Sequence, residues 1–375
     1  MNLEDSQRPL PQQLTLYVNY ACNLRCRHCY LYGVADVERS YMTTNKASAM
    51  SWEVFTRSVD PLIEAGNPLT VFLMGGEPCL HTNLPAMISY IKKASTSYVD
   101  MNTNGMFLDR CADDLIEAGI DAIYVSLDGS SEEKNDALRG TGSFAASIAG
   151  IRHLKQSIAH RNAPTKVALN YTITNRNFTD LLDMARLAEE LEIDELFFNL
   201  PSFVHKHEGL EAQRVLSEKL AIEFNSWRGF QIDSEVAGIP PDELEAIISG
   251  LNGDWPFDLY LQPVEYSPQE LATYFQPSWE QQAKKRTCQV LSFRTTVLPN
   301  GDVTPCTIYP DVVVGNVLET GMSEVWHGQK YEDFRNEIAQ NLLPTCMRCC
   351  DLFDETNGDP SSFVSGSREG LAVRA

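Results

Sequence analysis

Between residues 14 and 202 the chain alternates two kinds of apolar pattern. Six short runs are rich in β-branched and aromatic residues: "LTLYVNYAC" (14–22), "LTVFLMGGE" (69–77), "YVDMNTNG" (98–105), "AIYVSLDG" (122–129), "KVALNYTIT" (166–174) and "ELFFNLPS" (195–202). Between them lie "SWEVFTRSVDPLIEAG", "LPAMISYIKKA", "DRCADDLIEAG", "SFAASIAGIRHLKQ" and "FTDLLDMARLAEEL", whose apolar residues recur at three- and four-residue steps. These segments begin near Ser, Asn, Asp or Thr, which can accept from the free N–H groups of a first helical turn. Strands alternating with helices predict parallel pairing through right-handed crossovers. Near-continuous apolar strands fit a sheet covered by helices. Six units rather than eight predict an α/β fold built as a partial, open barrel.

The polar residues gather at the ends of the predicted strands. Cys22, the Gly75-Gly76-Glu77 stretch, Asn102-Thr103-Asn104, Ser126, Asp128 and Asn170 all fall there. In barrel-like α/β folds that rim carries ligands and chemistry. Loops are commonly polar, but that alone does not explain three cysteines on the same rim. After residue 202 the alternation stops. Acidic helical stretches ("LEAQRVLSEKLAIEFNSW", "PPDELEAIISGL", "SPQELATYF") lie among prolines and aromatics. The predicted organisation is an N-terminal extension (1–13), a core (14–202), a helical connector or substrate-side insertion (203–285), a small cysteine-bearing domain (286–350) and a tail (351–375). The tail is poor in apolar residues, so partial disorder is expected. No internal repeats are evident.

Charge narrows the choice of partners. With 30 Lys and Arg against 51 Asp and Glu the formal charge is −21. Phosphate binding needs a basic face, so nucleic acid is not an expected partner, nor is an anionic membrane. The charge serves solubility, or attracts a cationic substrate such as a basic peptide or an amino sugar. No run of about 20 apolar residues is present to span a bilayer. The start, "MNLEDSQRPLPQQ", lacks a basic region followed by an apolar run, so a cytoplasmic location is expected. Ten cysteines in a reducing compartment more often hold metal than form disulfides.

"ACNLRCRHCY" sets Cys22, Cys26 and Cys29 in a Cys-x3-Cys-x2-Cys loop. Iron–sulfur cubanes ordinarily take four thiolates. Three leave one iron with an open position, where a small molecule can chelate. A zinc site or three buried thiols are the alternatives. His28, inside the loop, could compete as a ligand but reads as a solvated loop residue. Gly75 and Gly76 let backbone approach a ligand closely. Glu77 can accept a charge-assisted bond from an ammonium group, and Arg139 can clamp a carboxylate.

"CNLRCRHCY" followed by "GGEP" at the end of the next strand resembles the radical S-adenosylmethionine (SAM) superfamily. The resemblance implies a partial (β/α)6 barrel with a 4Fe–4S cluster on Cys22, Cys26 and Cys29. It implies that SAM binds that cluster and is cleaved by one electron to a 5′-deoxyadenosyl radical, which takes hydrogen from substrate. By the same resemblance the Gly75-Gly76-Glu77 stretch would hold the methionyl amino group, and Tyr30 would lie near the adenine. Ser126, Asp128 and Arg139 match positions for the ribose or the SAM carboxylate. Asn170 and the backbone of Ile173 are candidates for ribose and adenine. Asn104, in "NTNG", is either a SAM contact or part of a plain turn. An electron donor such as flavodoxin or ferredoxin is implied.

The second cysteine group, in "CQVLSFRTTVLPNGDVTPC", spaces Cys288, Gly301 and Cys306 as Cys-x12-Gly-x4-Cys, with a β-hairpin predicted at Asn300-Gly301. A helical stretch and "PTCMRCC" follow. This resembles the auxiliary-cluster domain of many radical SAM enzymes, called SPASM in its seven-cysteine form and twitch when shortened. Only Cys350 follows Cys349, which implies one auxiliary 4Fe–4S cluster on Cys288, Cys306, Cys346 and either Cys349 or Cys350. Zinc suits four thiolates too. Cys79 and Cys111 read as ordinary thiols, although Cys79, just past Glu77, could donate hydrogen in an epimerase. The expected activity is modification of a ribosomally made peptide by cross-linking, oxidation or epimerisation, with a separate leader-peptide-binding protein as a further partner. The alternatives are the same chemistry on a small molecule (an aminocyclitol, a sugar or a tetrapyrrole side chain) or a non-catalytic metal-binding module.

Overall fold

The computed structural model describes residues 8–32, 49–231, 238–262, 273–275, 286–307 and 309–353. Residues 1–7 of the expected extension, most of "SPQELATYF" and the expected tail from residue 354 lie outside them. The core begins with β1 (Gln13–Asn19), α1 (Trp52–Glu64), β2 (Thr70–Gly75), α2 (Leu84–Ala94), β3 (Tyr98–Thr103), α3 (Leu108–Ala118) and β4 (Ala122–Ser126). It continues through α4 (Glu132–Arg139), α5 (Ser143–Arg161), β5 (Lys166–Thr172), α6 (Leu181–Glu190) and β6 (Glu195–Asn199). Helix α1 starts where its cap predicts: Ser51 Oγ accepts from Val54 N at 3.1 Å. The connector holds α7 (Lys206–Leu220), α8 (Pro241–Ser249) and β7 (Asp258–Gln262). The C-terminal part holds β8 (Thr287–Cys288), β9 (Arg294–Val297), β10 (Asp302–Thr304), β11 (Gly315–Asn316), α9 (Met322–Trp326), α10 (Gln329–Gln340) and β12 (Leu352–Phe353).

Strands β1 to β7 lie side by side in sequence order, all parallel, in an open sheet. The two-residue period of a strand divides this sheet into two surfaces. Leu14, Leu16, Val71, Leu73, Ile123, Val125, Val167, Leu169, Leu196 and Phe198 have no exposed surface and form one core with the helices. Each such side chain contributes about 1.5–3 kcal/mol of burial. The alternate positions carry Tyr124, Ala168, Phe197 and Tyr260, packed as a separate aromatic cluster. Farther along the same strands they carry Asn102, Ser126, Asn170, Thr172 and Asn199. The inner surface therefore changes from aromatic to hydrogen-bonding toward the strand C-termini.

Two features extend the predicted six units. Strand β7 adds a seventh parallel strand from within the acidic connector. On the other side β9 pairs in parallel with β1, matching Gln13 to Arg294 through Leu16 to Val297. The expected hairpin forms from β9 and β10, turning at Gly301 with φ +89. Thus the C-terminal hairpin continues the core sheet. No helix among the described residues is long and apolar enough to cross a membrane.

Candidate functional site

The loop after β1 and the end of β2 are fastened to each other. Gly76 N donates to Asn19 O at 2.8 Å, and Glu77 N donates to Ala21 O at 2.7 Å. A Cβ on Gly75 would sit 2.1 Å from Asn19 O, and one on Gly76 2.2 Å from Ala21 O. The glycines therefore allow the chain to approach its own backbone just before Cys22. The resulting cleft, about 360 Å³, is lined by Cys22, Cys26, Cys29, Gly75, Gly76 and Arg139. Asn102, Asn104, Ser126 and Thr172 also face it, as does Tyr30. Leu200, just after β6, and Phe203 and Phe230 of the connector close one side. Tyr30 stacks on Phe230 at 4.8 Å and its hydroxyl pairs with that of Tyr17.

Other expected site residues turn away from this cleft. Glu77 is 1% exposed and its carboxylate accepts from Thr103 Oγ1 (2.6 Å), Asn104 N (2.7 Å) and Cys79 N (3.1 Å). Burial pushes its pKa up against these donors. It ties β2 to β3 and is not among the residues lining the cleft. Asn170 Nδ2 donates to Asn102 Oδ1 at 3.1 Å, and Ser126 Oγ donates to the same oxygen at 3.3 Å. Ile173 is buried and its N–H donates to Asn199 O at 2.8 Å. Cys79 lies beside Cys111, with Sγ–Sγ 3.1 Å, outside the cleft lining.

Asp128 organises a buried charge group. Its Oδ1 accepts from Thr172 N at 2.7 Å. Its Oδ2 lies 2.6 Å from Arg139 Nε and 3.2 Å from His28 Nε2. Burial alone would raise its pKa, but Arg139 and His28 hold it well below the ordinary carboxylate range. His28 is thus an ion-pair member rather than the solvated residue its place in the loop suggested. Arg139 is 8% exposed and lines the cleft, with its Nε taken by Asp128 Oδ2, while His28 Nδ1 has no hydrogen-bond partner. A buried guanidinium beside three thiols suits an anionic group bound near them. Burial raises the pKa of Cys22 and Cys26, and that of Cys29 to about 11, so these thiols are protonated until a metal displaces the protons.

The other cysteines surround a second, smaller cavity of about 40 Å³. Cys288, Cys306, Cys346 and Cys349 line it, among apolar side chains such as Phe224, Leu291 and Phe334. Cys350 does not line this cavity; it lines the first. Burial raises Cys288 to about 11 and Cys346 well above the ordinary thiol range. Among the described residues no three His, Cys, Asp or Glu side chains converge closely enough for a single metal ion. Each cysteine set lines a space rather than a single point. The pairing of Asp128 with His28, the linking role of Asn102 and the approach of Phe230 had no signature in the linear pattern.

Comparison with known proteins agrees with this geometry. The model of the Radical SAM superfamily matches residues 16–194, and that of the iron–sulfur cluster-binding SPASM domain matches residues 288–350. The chain is 27% identical over 348 residues to an Fe-coproporphyrin III synthase of Methanosarcina barkeri, covering 90% of this chain and 80% of that one. It is 27% identical over 335 residues to a pre-heme d1 synthase of Dinoroseobacter shibae, covering 88% and 76%. In fold it is similar to Streptococcus suis SuiB bound to S-adenosylmethionine, with TM-score 0.61 and 14% identity, covering 90% of this chain and 72% of that one.

Proposed function

Because the chain belongs to the radical SAM superfamily and carries an iron–sulfur cluster-binding domain, we propose that it modifies a carboxylate-bearing side chain of a tetrapyrrole-class small molecule. The observation that carries this reading is similarity along most of both chains to two synthases whose names specify tetrapyrrole products. A second supports it. The loop 21–32, "ACNLRCRHCYLY", carries Arg25, Arg27 and His28 and no acid, in a chain of net charge −21. Of these, Arg27 and His28 line the cleft, beside the apolar walls of Leu24, Leu200, Phe203 and Phe230. Apolar walls beside the cationic Arg27 suit a flat, anionic ligand.

The residues divide the work as follows. Cys22, Cys26 and Cys29 hold a 4Fe–4S cluster whose open corner takes SAM, supplying upon one-electron reduction a 5′-deoxyadenosyl radical able to remove hydrogen from unactivated carbon. Arg139 presents the cleft-facing part of its guanidinium to the SAM carboxylate, and Asp128 fixes it in place through Nε. Gly75 and Gly76 present backbone without side chains to the methionyl end. Ser126 and Asn104 offer polar atoms to the ribose. Cys288, Cys306, Cys346 and Cys349 hold the auxiliary cluster, closed to substrate by its four thiolates. The connector, 203–285, supplies Phe203 and Phe230 to the substrate side. A one-electron donor of the flavodoxin or ferredoxin class provides the reducing equivalent.

The test is anaerobic reconstitution followed by dithionite, SAM and a panel of porphyrins and iron porphyrins bearing acetate or propionate groups. Faster 5′-deoxyadenosine formation, together with a mass change in one tetrapyrrole, is the expected result. Stimulation by a short precursor peptide, with every tetrapyrrole inert, would establish the peptide reading in its place.

A further inference from the structure

Among the described residues that line the smaller cavity, Arg294 and Asp351 are the two that carry charge. They pair with each other, Arg294 Nη2 donating to Asp351 Oδ2. The rest of the lining is apolar, hydroxyl-bearing or cysteine. An ion pair in such surroundings gives up hydration and adds little net stability. Stability therefore does not account for its place beside Cys288, Cys306, Cys346 and Cys349.

Backbone structure fixes both partners. Arg294 opens β9, where it stands opposite Gln13 of β1, and its carbonyl accepts from the Tyr331 hydroxyl at 3.2 Å. Asp351 directly precedes the short strand β12, whose Leu352 pairs with Cys288. Asp351 N also donates to Cys349 Sγ at 3.4 Å. This one residue thus meets a sulfur through its main chain and the guanidinium through its side chain. The two charges act on the neighbouring sulfur of Cys288 with opposite sign. Burial is the main cause of the raised Cys288 pKa; against that background Asp351 raises it further and Arg294 lowers it.

We infer that Arg294 and Asp351 form a charge pair that sets the reduction potential of the auxiliary cluster, Arg294 raising it and Asp351 lowering it. The inference rests on the proposed assignment of Cys288, Cys306, Cys346 and Cys349 to that cluster and adds what tunes it. Uptake of an electron increases the negative charge carried by four thiolates and their iron. A cation beside the sulfurs favours that state and an anion opposes it, and in weakly screened surroundings both effects are large. Neither residue ligates iron; both act through the ligating sulfurs. The pair holds two opposite pulls in balance, so loss of either member uncovers the other.

The experiment uses the full chain carrying Cys22/Cys26/Cys29→Ala, so that only the auxiliary cluster is read. After anaerobic reconstitution the potential is measured by redox titration followed by electron paramagnetic resonance. The same titration is run with Arg294→Met, Asp351→Asn or both added. Arg294→Met should lower the potential and Asp351→Asn should raise it. Each should change the ratio of reduced to oxidised cluster at a fixed poise by at least about tenfold, which for one electron is about 59 mV. The double variant should return toward the starting value, and Arg294→Lys, which keeps the charge, should shift less than Arg294→Met. A merely structural tie between β9 and β12 predicts shifts of one sign or none, and either result overturns the inference. Should Arg294→Met not retain iron, Asp351→Asn decides alone: a potential unchanged or lowered overturns the inference. Failure of the background protein to take up about four irons would instead overturn the auxiliary-cluster assignment, and the inference with it.

Discussion

The two cysteine sites are built in opposite ways. The first takes Cys22, Cys26 and Cys29 from one loop and opens onto a cleft of about 360 Å³. The second draws Cys288, Cys306, Cys346 and Cys349 from across the C-terminal part, and they line a smaller space of about 40 Å³ among mostly apolar side chains. One is local in sequence and open to ligands. The other depends on tertiary structure, because the β8–β12 pairing and the β9–β10 hairpin bring its members together. A three-thiolate set beside a cleft can bind and activate a small molecule. On the proposed reading, a four-thiolate set leaves its cluster no position for substrate and passes electrons. On that reading the two unlike sites separate binding from electron transfer.

The largest expected effect breaks the open site. Cys22→Ala, Cys26→Ala or Cys29→Ala should each abolish 5′-deoxyadenosine formation and remove about four of about eight irons per chain. Retention of SAM cleavage in any of the three would erase the distinction between the sites. The converse is a Cys288→Ala or Cys306→Ala variant. It should lose a similar share of iron at the closed site, keep SAM cleavage and stop product formation, as read by iron assay and mass spectrometry. Equal loss of SAM cleavage in both sets would mean that the closed site supports the open one.

A third prediction concerns what holds the open site in shape. Asp128→Asn leaves Arg139 and His28 buried without their anion, which should cost about 3–5 kcal/mol in urea-induced unfolding. The sign with pH follows from the depressed pKa of Asp128. Its stabilisation is complete above the ordinary carboxylate range and is lost as pH falls through the acid range, where the folded-state carboxyl takes up its proton. The wild type should therefore lose more stability in acid than Asp128→Asn does. Parallel curves would remove Asp128 as the organiser of the cleft.

Much of the first site is legible in the sequence because its determinants are short-range. The Cys-x3-Cys-x2-Cys spacing, the paired glycines and the polar ends of apolar runs each occupy fewer than about ten residues. The parallel strands follow from the same local pattern. Strand β7 escapes because "DLYLQ" lies among prolines and acids that suggest a connector. The β1–β9 pairing escapes for another reason: nothing in either segment encodes a partner far away in sequence. Glu77 shows what the linear pattern does not carry: its carboxylate accepts from Thr103 and Asn104 and so ties β2 to β3. Cys349 and Cys350 could not be told apart in sequence. Their facing is decided by Arg348 and Ser202 in one direction and β12 in the other.

The smallest effect is graded rather than absolute, and it sharpens the contrast between three and four thiols. Burial raises Cys29 and Cys288 to about 11, and the other auxiliary thiols Cys346 and Cys349 are raised as well, with contact between Cys349 and Cys350 the leading cause at Cys349. Each of these is protonated at neutral pH, so cluster loading must displace one proton per thiol. Each displaced proton makes loading about tenfold more favourable per pH unit. Loading should strengthen with rising pH at both sites, between about pH 7 and 9, and more steeply by one proton at the closed site. Chelator competition can measure the two slopes separately, using the Cys22/Cys26/Cys29→Ala triple variant for the closed site and Cys349→Ala for the open one. Equal slopes would mean that a further titrating group joins the open loop. A steeper open site would reverse the assignment of three thiolates to the cleft and four to the closed cavity.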